Sequence, residues 1–169
     1  MSKYVCESLG KRHDRNRFDC GVEALNDYLV RVASQDVKRK AAAVFVMTSE
    51  SEPTRIVGYY TLCSTSIELT QLPLALSKRM PRYPEVPAIL VGRLAGDLAF
   101  PGLGSLLLAD ALIRCVRVAN EIAATLIVVD IKNETVGRFY ERHGFVTLPK
   151  LSNRMFLPIA TAEKIVKQL

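Results

Sequence analysis

A chain of 169 residues that is 49% hydrophobic and 24% charged is sized for one domain and can bury a full core, which excludes a largely disordered protein. No apolar run approaches the roughly 20 residues that a membrane span needs. The charged opening MSKYVCESLGKRHDRNRF lacks the apolar stretch of a secretory signal, so a cytoplasmic protein with no membrane role is expected. The net charge of +6 favours an anionic partner such as nucleic acid, a phosphorylated cofactor or an acidic protein; the alternative is a mildly basic protein with none.

Tyr4 to Leu9 reads as a short first strand, and Gly10 to Arg17 as a polar loop. Asp19 is placed to cap a helix, followed by Val22, Leu25, Leu29 and Val32 at helical spacing, with the helix running to about Lys38. Ala41 to Thr48 and RIVGYYTLCSTSIEL are β-rich and separated by the turn SESEPT, which predicts an antiparallel hairpin. The four prolines between Gln71 and Pro87 exclude one regular element there, leaving room for a helical turn over Leu74–Lys78.

Ala88 to Ala95 reads as a buried strand that enters the turn GDLAFPGLGS. A helix follows, with Leu107, Leu108, Ala111, Leu112, Cys115 and Val118 on its apolar side. TLIVVDI is another buried strand, and ETVGRFYERHG is a helix closed by Gly144. FVTL and RMFLP form a closing pair of strands, before a last helix from about Ala160. With hairpin and crossover connections both present, the class is α+β or α/β, a single domain over residues 1–169 around one mixed sheet. The cysteines Cys6, Cys20, Cys63 and Cys115 make no C-x-x-C pair, and the only histidines are His13 and His143. They read as reduced, mostly buried thiols, and no metal site is expected.

Two places carry chemistry. Gly102 and Gly104 let the backbone approach a ligand where a helix begins, and the first N–H groups of that helix, with the Ser105 hydroxyl, suit a diphosphate. The segment matches neither a P-loop nor a dinucleotide fingerprint. In DIKNETVGRFYERHGF, Asn133 follows a strand end, and Phe139 and Tyr140 sit just before the helix stops. Such a pair serves either core packing or, through the phenol, proton donation to a leaving group.

RLAGDLAFPGLGSLLLADAL and NETVGRFYERHGF, in that order and spacing, resemble the diphosphate-binding and later motifs of the GNAT superfamily of acyl-CoA-dependent N-acetyltransferases. The likeness extends to one subgroup, the toxins of bacterial toxin–antitoxin pairs that acetylate aminoacyl-tRNA. It covers HDRNRFDCGVEALNDYLVRVASQDVKRKAAAVFVMT, VGYYTL, the proline-rich middle, GRLAGD and NRMFLPI, nearly the whole chain. One departure stands out. The superfamily loop reads Q/R-x-x-G-x-G/A, yet Ala99 lies where the Gln or Arg belongs, the loop is about two residues short, and Pro101 supplies no N–H. Either the shortened loop still binds its cofactor or the site is weakened.

The resemblance implies a GNAT fold with a mixed, mostly antiparallel sheet flanked by helices, and acetyl-CoA as donor. The cofactor is expected against Leu94 and Ala95, over Gly102, Leu103, Gly104, Ser105 and Leu106, and beside Asn133 and Phe139. Tyr140 is the expected general acid. Arg93 and the basic residues Lys38, Arg39, Lys40, Lys78 and Arg79 are candidates for substrate tRNA, although such charge runs commonly form plain solvated surface. A ribbon-helix-helix antitoxin, operator DNA through it, and a toxin homodimer are also implied. Two other readings stay open: an N-acetyltransferase of a small amine or protein N-terminus, and a catalytically weak protein whose role is to bind its antitoxin in a DNA-bound repressor.

Overall fold

The structure is a computed structural model that describes residues 3–169. Seven strands lie in the sheet order β1-β2-β3-β4-β5-β7-β6, and the chain groups into two compact units. One contains the residues up to Cys63 together with Gly92–Ala111; the other contains Ser64–Val91 and Leu112–Leu169.

In the first unit, β1 (Tyr4–Ser8), β2 (Ala43–Ser49) and the start of β3 (Gly58–Glu68) form an antiparallel meander. Alternation along β2 turns Val44 and Val46 inward, where they join Tyr59, Ile56, Phe18, Tyr28, Leu29 and Ala33 in one apolar cluster. The helical segment between β1 and β2 is less regular than its apolar spacing predicts. It consists of α1 (Glu23–Asp27), a wide π turn over Tyr28–Val32 in which Ala33 N donates to Tyr28 O, and α2 (Ala33–Lys38). Leu29 and Ala33 are buried with Leu25 and Val37 packed beside them, whereas Val22 and Val32 are exposed. In a regular helix, residues four apart drift by about 40° per step. The wide turn takes up an extra residue and keeps Leu25, Leu29, Ala33 and Val37 on the core side.

Asp19 does not cap this helix. Val22 holds that position without a side-chain bond, while the Asp19 carboxylate accepts from Gly21 N at 2.8 Å and Asn26 Nδ2 at 3.0 Å. At the other end Lys40 N donates to Val37 O and Ala41 N to Asp36 O. This is a Schellman closure with Lys40, at φ 59°, in the left-handed position that glycine usually fills.

In the second unit, the N-terminal part of β4 (Glu85–Gly96) pairs in parallel with β5 (Leu126–Asp130). That pairing demands a crossover, supplied by α4 (Gly104–Glu121). Leu126, Ile127, Val128 and Val129 are fully buried, as expected of a strand covered on both faces. β5 pairs antiparallel with β7 (Leu151–Pro158), and β7 with β6 (Val146–Leu148). The proline-rich stretch holds only a 3₁₀ turn, Leu69–Gln71, and α3 (Leu74–Ser77). The remaining helices are α5 (Glu134–Arg142) and the C-terminal α6 (Ile159–Lys167). Among the cysteines only Cys115 is buried; the other three are half-buried, so the expectation of mostly buried thiols is corrected.

A lysine in the left-handed region costs about 1 kcal/mol or more that glycine does not incur. Lys40→Gly is therefore expected to raise unfolding stability by about that amount, measured by urea denaturation.

Candidate active site

In the first unit, β4 runs on past its last pair with β5, Val91–Val129, through Gly92–Gly96. The chain then turns on Asp97, whose side chain is buried. Its carboxylate accepts from Asp19 N at 3.1 Å and Ala99 N at 2.8 Å, while its own N–H donates to Val57 O at 2.8 Å. Phe100 N donates to Asp97 O at 3.0 Å. Two loop amides are thus committed to Asp97, and Pro101 has none to give.

What remains for a ligand is the segment from Gly102 into α4. Gly102, at φ 86°, is exposed, and a β-carbon there would have nothing within 4 Å. Leu103 is buried and anchors the start of the helix, where the first i→i−4 bond is Leu107 N to Leu103 O. The N–H groups of Gly104, Ser105 and Leu106 precede that bond, at the positive end of an 18-residue helix. The open space at Gly102 and the helix dipole suit a diphosphate. Ala95 is buried and Leu94 half-buried just upstream.

Arg93 is half-buried, its guanidinium carbon 3.5 Å from the centre of the Tyr28 ring. Tyr28 lies in the wide turn, donates its hydroxyl to Asp36 Oδ2 at 2.7 Å and stacks on Tyr59. Burial, then the bond to Asp36, pushes its phenol up to about 12. Lys38, Arg39 and Lys40 are exposed at the C-terminal end of α2.

In the second unit, Asn133 caps α5, its side-chain oxygen accepting from Val136 N at 2.9 Å. Phe139 and Tyr140 stand in the last turns of that helix. The helix closes in a Schellman motif: Gly144 N donates to Glu141 O, and Phe145 N to Tyr140 O. Gly144 has φ 94°. This turn folds Phe145 back onto Tyr140, with ring centres 5.3 Å apart, and Phe139 also packs edge-to-face with Tyr140, at 5.1 Å. Tyr140 is buried, and desolvation alone raises its pKa well above the usual phenol range. It therefore carries its proton throughout the neutral range. Lys78 and Arg79 are exposed just after α3.

A groove of about 490 Å³ beside β6 is lined by Glu141, Gly144, Phe145, Val146, Thr147 and Met155. It contains none of the predicted site residues. No group of three or more His, Cys, Asp or Glu side chains among the described residues is arranged to hold a metal, and no helix among them is long and apolar enough to cross a membrane. Sequence reasoning missed Tyr28, the cation–π partner of Arg93, and the anchoring roles of Asp97 and Phe145. Spacing signalled neither Tyr28 nor Asp97, whose partners are distant in sequence, whereas Phe145 reaches Tyr140 through the local turn at Gly144.

A mixed seven-stranded sheet, with a glycine-led helix start and a phenol at a helix end, is the arrangement that the resemblance to the GNAT superfamily implies. No protein-family model matches the chain. It is 31% identical to the probable toxin TacT of Sinorhizobium fredii, over 98% of this chain and 96% of that one. It is 32% identical to the tRNA-acetylating toxin of Mycobacterium tuberculosis, over 98% and 99%. AtaT complexed with acetyl-methionyl-tRNAfMet superposes with a TM-score of 0.89 at 28% identity, covering 96% of this chain and 99% of AtaT. A mutant AtaT bound to acetyl-CoA and the C-terminus of its antitoxin AtaR matches with a TM-score of 0.80 at 26% identity, over 96% and 97%. The KacTA–DNA complex matches at 0.80 and 26%, over 99% and 100%. The chain belongs to the GNAT-type tRNA-acetylating toxins.

The Schellman glycine provides a local check. Gly144→Ala places a β-carbon on a left-handed residue and is expected to lower stability by about 1–2 kcal/mol in urea unfolding.

Proposed function

We propose that residues 1–169 act as one acetyltransferase domain that moves the acetyl group of acetyl-CoA onto the α-amino group of aminoacyl-tRNA and so blocks translation. The observation that carries this reading is the full-length likeness to a tRNA-acetylating toxin; AtaT, for its part, is known in complex with acetyl-methionyl-tRNAfMet.

The residues present fit the donor. The amides from Gly102 through Gly104, Ser105 and Leu106 offer charge-complementary donors to its diphosphate, with Leu103 fixing the turn. Backbone groups of Leu94 and Ala95, at the end of β4, are suited to pair with its amide-bearing arm. Asn133 and Phe139 complete the candidate contacts; the Asn133 side chain is already engaged as a helix cap, so its contribution is to hold the turn.

Tyr140 is the general acid in this reading. It gives its hydroxyl proton to the sulfur as the carbon–sulfur bond breaks under attack by the α-amino nitrogen, whose own proton passes to water. Solvent then reprotonates the phenolate. No acyl-enzyme is needed. Burial keeps the phenol protonated until the sulfur develops charge, and in low-dielectric surroundings a hydrogen bond to that charge is strong. General acid help of this kind is worth about 10²–10⁴-fold in rate.

The nucleic-acid side of the reaction falls to cations. Arg93 presents a half-buried guanidinium backed by the Tyr28 ring. Lys38, Arg39 and Lys40 form an exposed basic end to α2, and Lys40 retains a cation where glycine would be unstrained. Lys78 and Arg79 form a second basic stretch. Such groups meet phosphates and make binding salt-dependent. We also assign to this chain a ribbon-helix-helix antitoxin, contact with operator DNA through it, a homodimeric state and a cytoplasmic location. The antitoxin-bound AtaT and the KacTA–DNA complex support the antitoxin and DNA assignments.

Tyr140→Phe removes the proton donor with little change in packing. It is expected to lower kcat for acetylation of charged tRNA by about 10²–10⁴-fold, to leave the Kd for acetyl-CoA unchanged, and to relieve growth arrest on expression; full activity would make the phenol structural. Neutralising Lys38, Arg39 and Lys40 together is expected to raise KM for charged tRNA and flatten its salt dependence, with acetyl-CoA binding unaltered. An unchanged KM would remove that patch from the interface.

A further inference from the structure

We propose that Arg55, which precedes β3, is the cation that grips the diphosphate of acetyl-CoA. The assignment rests on the acetyl-CoA reading above and adds a residue from outside the helix-start segment.

The ligand's chemistry poses a problem for that segment. From Asp97 to Ile113 the chain carries no lysine or arginine, only the carboxylates of Asp97 and Asp110. The amides of Ala99 and Phe100 are already bonded to Asp97, and Pro101 has no N–H. A helix terminus contributes only about half an elementary charge, whereas a diphosphate diester carries about two at neutral pH. Attraction on this scale calls for a full cation beside the loop.

Arg55 is that cation. The stretch it begins runs alongside the loop, since Asp97 N donates to Val57 O at 2.8 Å. Its guanidinium carbon lies 4.9 Å from the centre of the Phe100 ring, inside the loop itself. Stacking on an aromatic face leaves the in-plane N–H groups of a guanidinium directed at other partners. Arg12, Arg17 and Arg154 are each paired with a carboxylate, Glu7, Glu52 and Asp130 respectively. Arg55, among the described residues, has no such pair, and its Nε is buried without a hydrogen-bond partner. A half-buried cation without a carboxylate partner is costly on its own and favourable once an anion meets the exposed part of its guanidinium. A planar guanidinium can then engage phosphate oxygens through parallel hydrogen bonds.

The test compares two donors with the full-length protein: acetyl-CoA, and acetyl-pantetheine, which has the thioester arm without the diphosphate. Arg55→Gln is expected to raise the Kd for acetyl-CoA about tenfold, the scale of one charge-assisted contact, while acetyl-pantetheine binds wild type and variant alike. The dependence of acetyl-CoA affinity on salt should flatten in the variant. Arg55→Lys keeps the charge without the fork. A smaller loss confined to acetyl-CoA in that variant supports the assignment even if Arg55→Gln does not fold. Equal acetyl-CoA affinity in wild type and Arg55→Gln overturns the role of Arg55 alone, as does a loss shared with acetyl-pantetheine or confined to KM for tRNA. Failure of the wild type itself to bind acetyl-CoA overturns the acetyltransferase reading, and the role of Arg55 with it.

Discussion

Asp97 ties together three stretches of chain that are remote in sequence: its carboxylate holds the segment before α1 and the loop that opens α4, and its backbone N–H holds the approach to β3. A buried carboxylate is tolerated when its oxygens accept hydrogen bonds, and here both oxygens accept backbone N–H groups. The consequence reaches the ligand segment directly. Because Asp97 takes the first amides of the loop, the donors left for an anion are those at Gly102 and beyond. The loop is short and bonded back onto Asp97, so its chemistry is displaced toward the helix and toward whatever side chain flanks it.

The phenol at the end of α5 follows a similar logic in the second unit. One left-handed glycine closes the helix, the closure throws Phe145 back onto Tyr140, and the ring packs against two aromatic neighbours. The same packing that fixes the ring desolvates its hydroxyl and keeps it protonated. Position and protonation state therefore arise from one local motif.

Much of this was legible in sequence. The order of strands and helices, the antiparallel hairpin of β2 and β3, the buried run of β5 and the Gly144 terminus all follow from local periodicity and turn chemistry, and they are where the chain places them. The candidate site segments GLGS and NETVGRFYERHGF could be picked out because a helix start and a helix-end phenol are local devices. Other features were not. Val22, Leu25, Leu29 and Val32 fit a regular helix, but the core selects Leu25, Leu29, Ala33 and Val37 by widening one turn. Asp19 has the right chemistry for a cap, yet its carboxylate is drawn to Gly21 and Asn26. The stacking of Arg93 on Tyr28 and of Arg55 on Phe100 joins residues tens of positions apart, which no spacing rule encodes.

The wide turn has an evolutionary and engineering reading of its own. A segment that accommodates one surplus residue can lose it and become an ordinary helix. Removing a residue from a regular helix turns everything downstream by about 100°, but here the wide turn already absorbs that residue. A one-codon deletion among Tyr28–Val32 would thus leave the segment helical with the basic tip of α2 on nearly its present bearing. Length polymorphism at this point is absorbed locally, without re-aiming charge or redesigning the sheet beneath it.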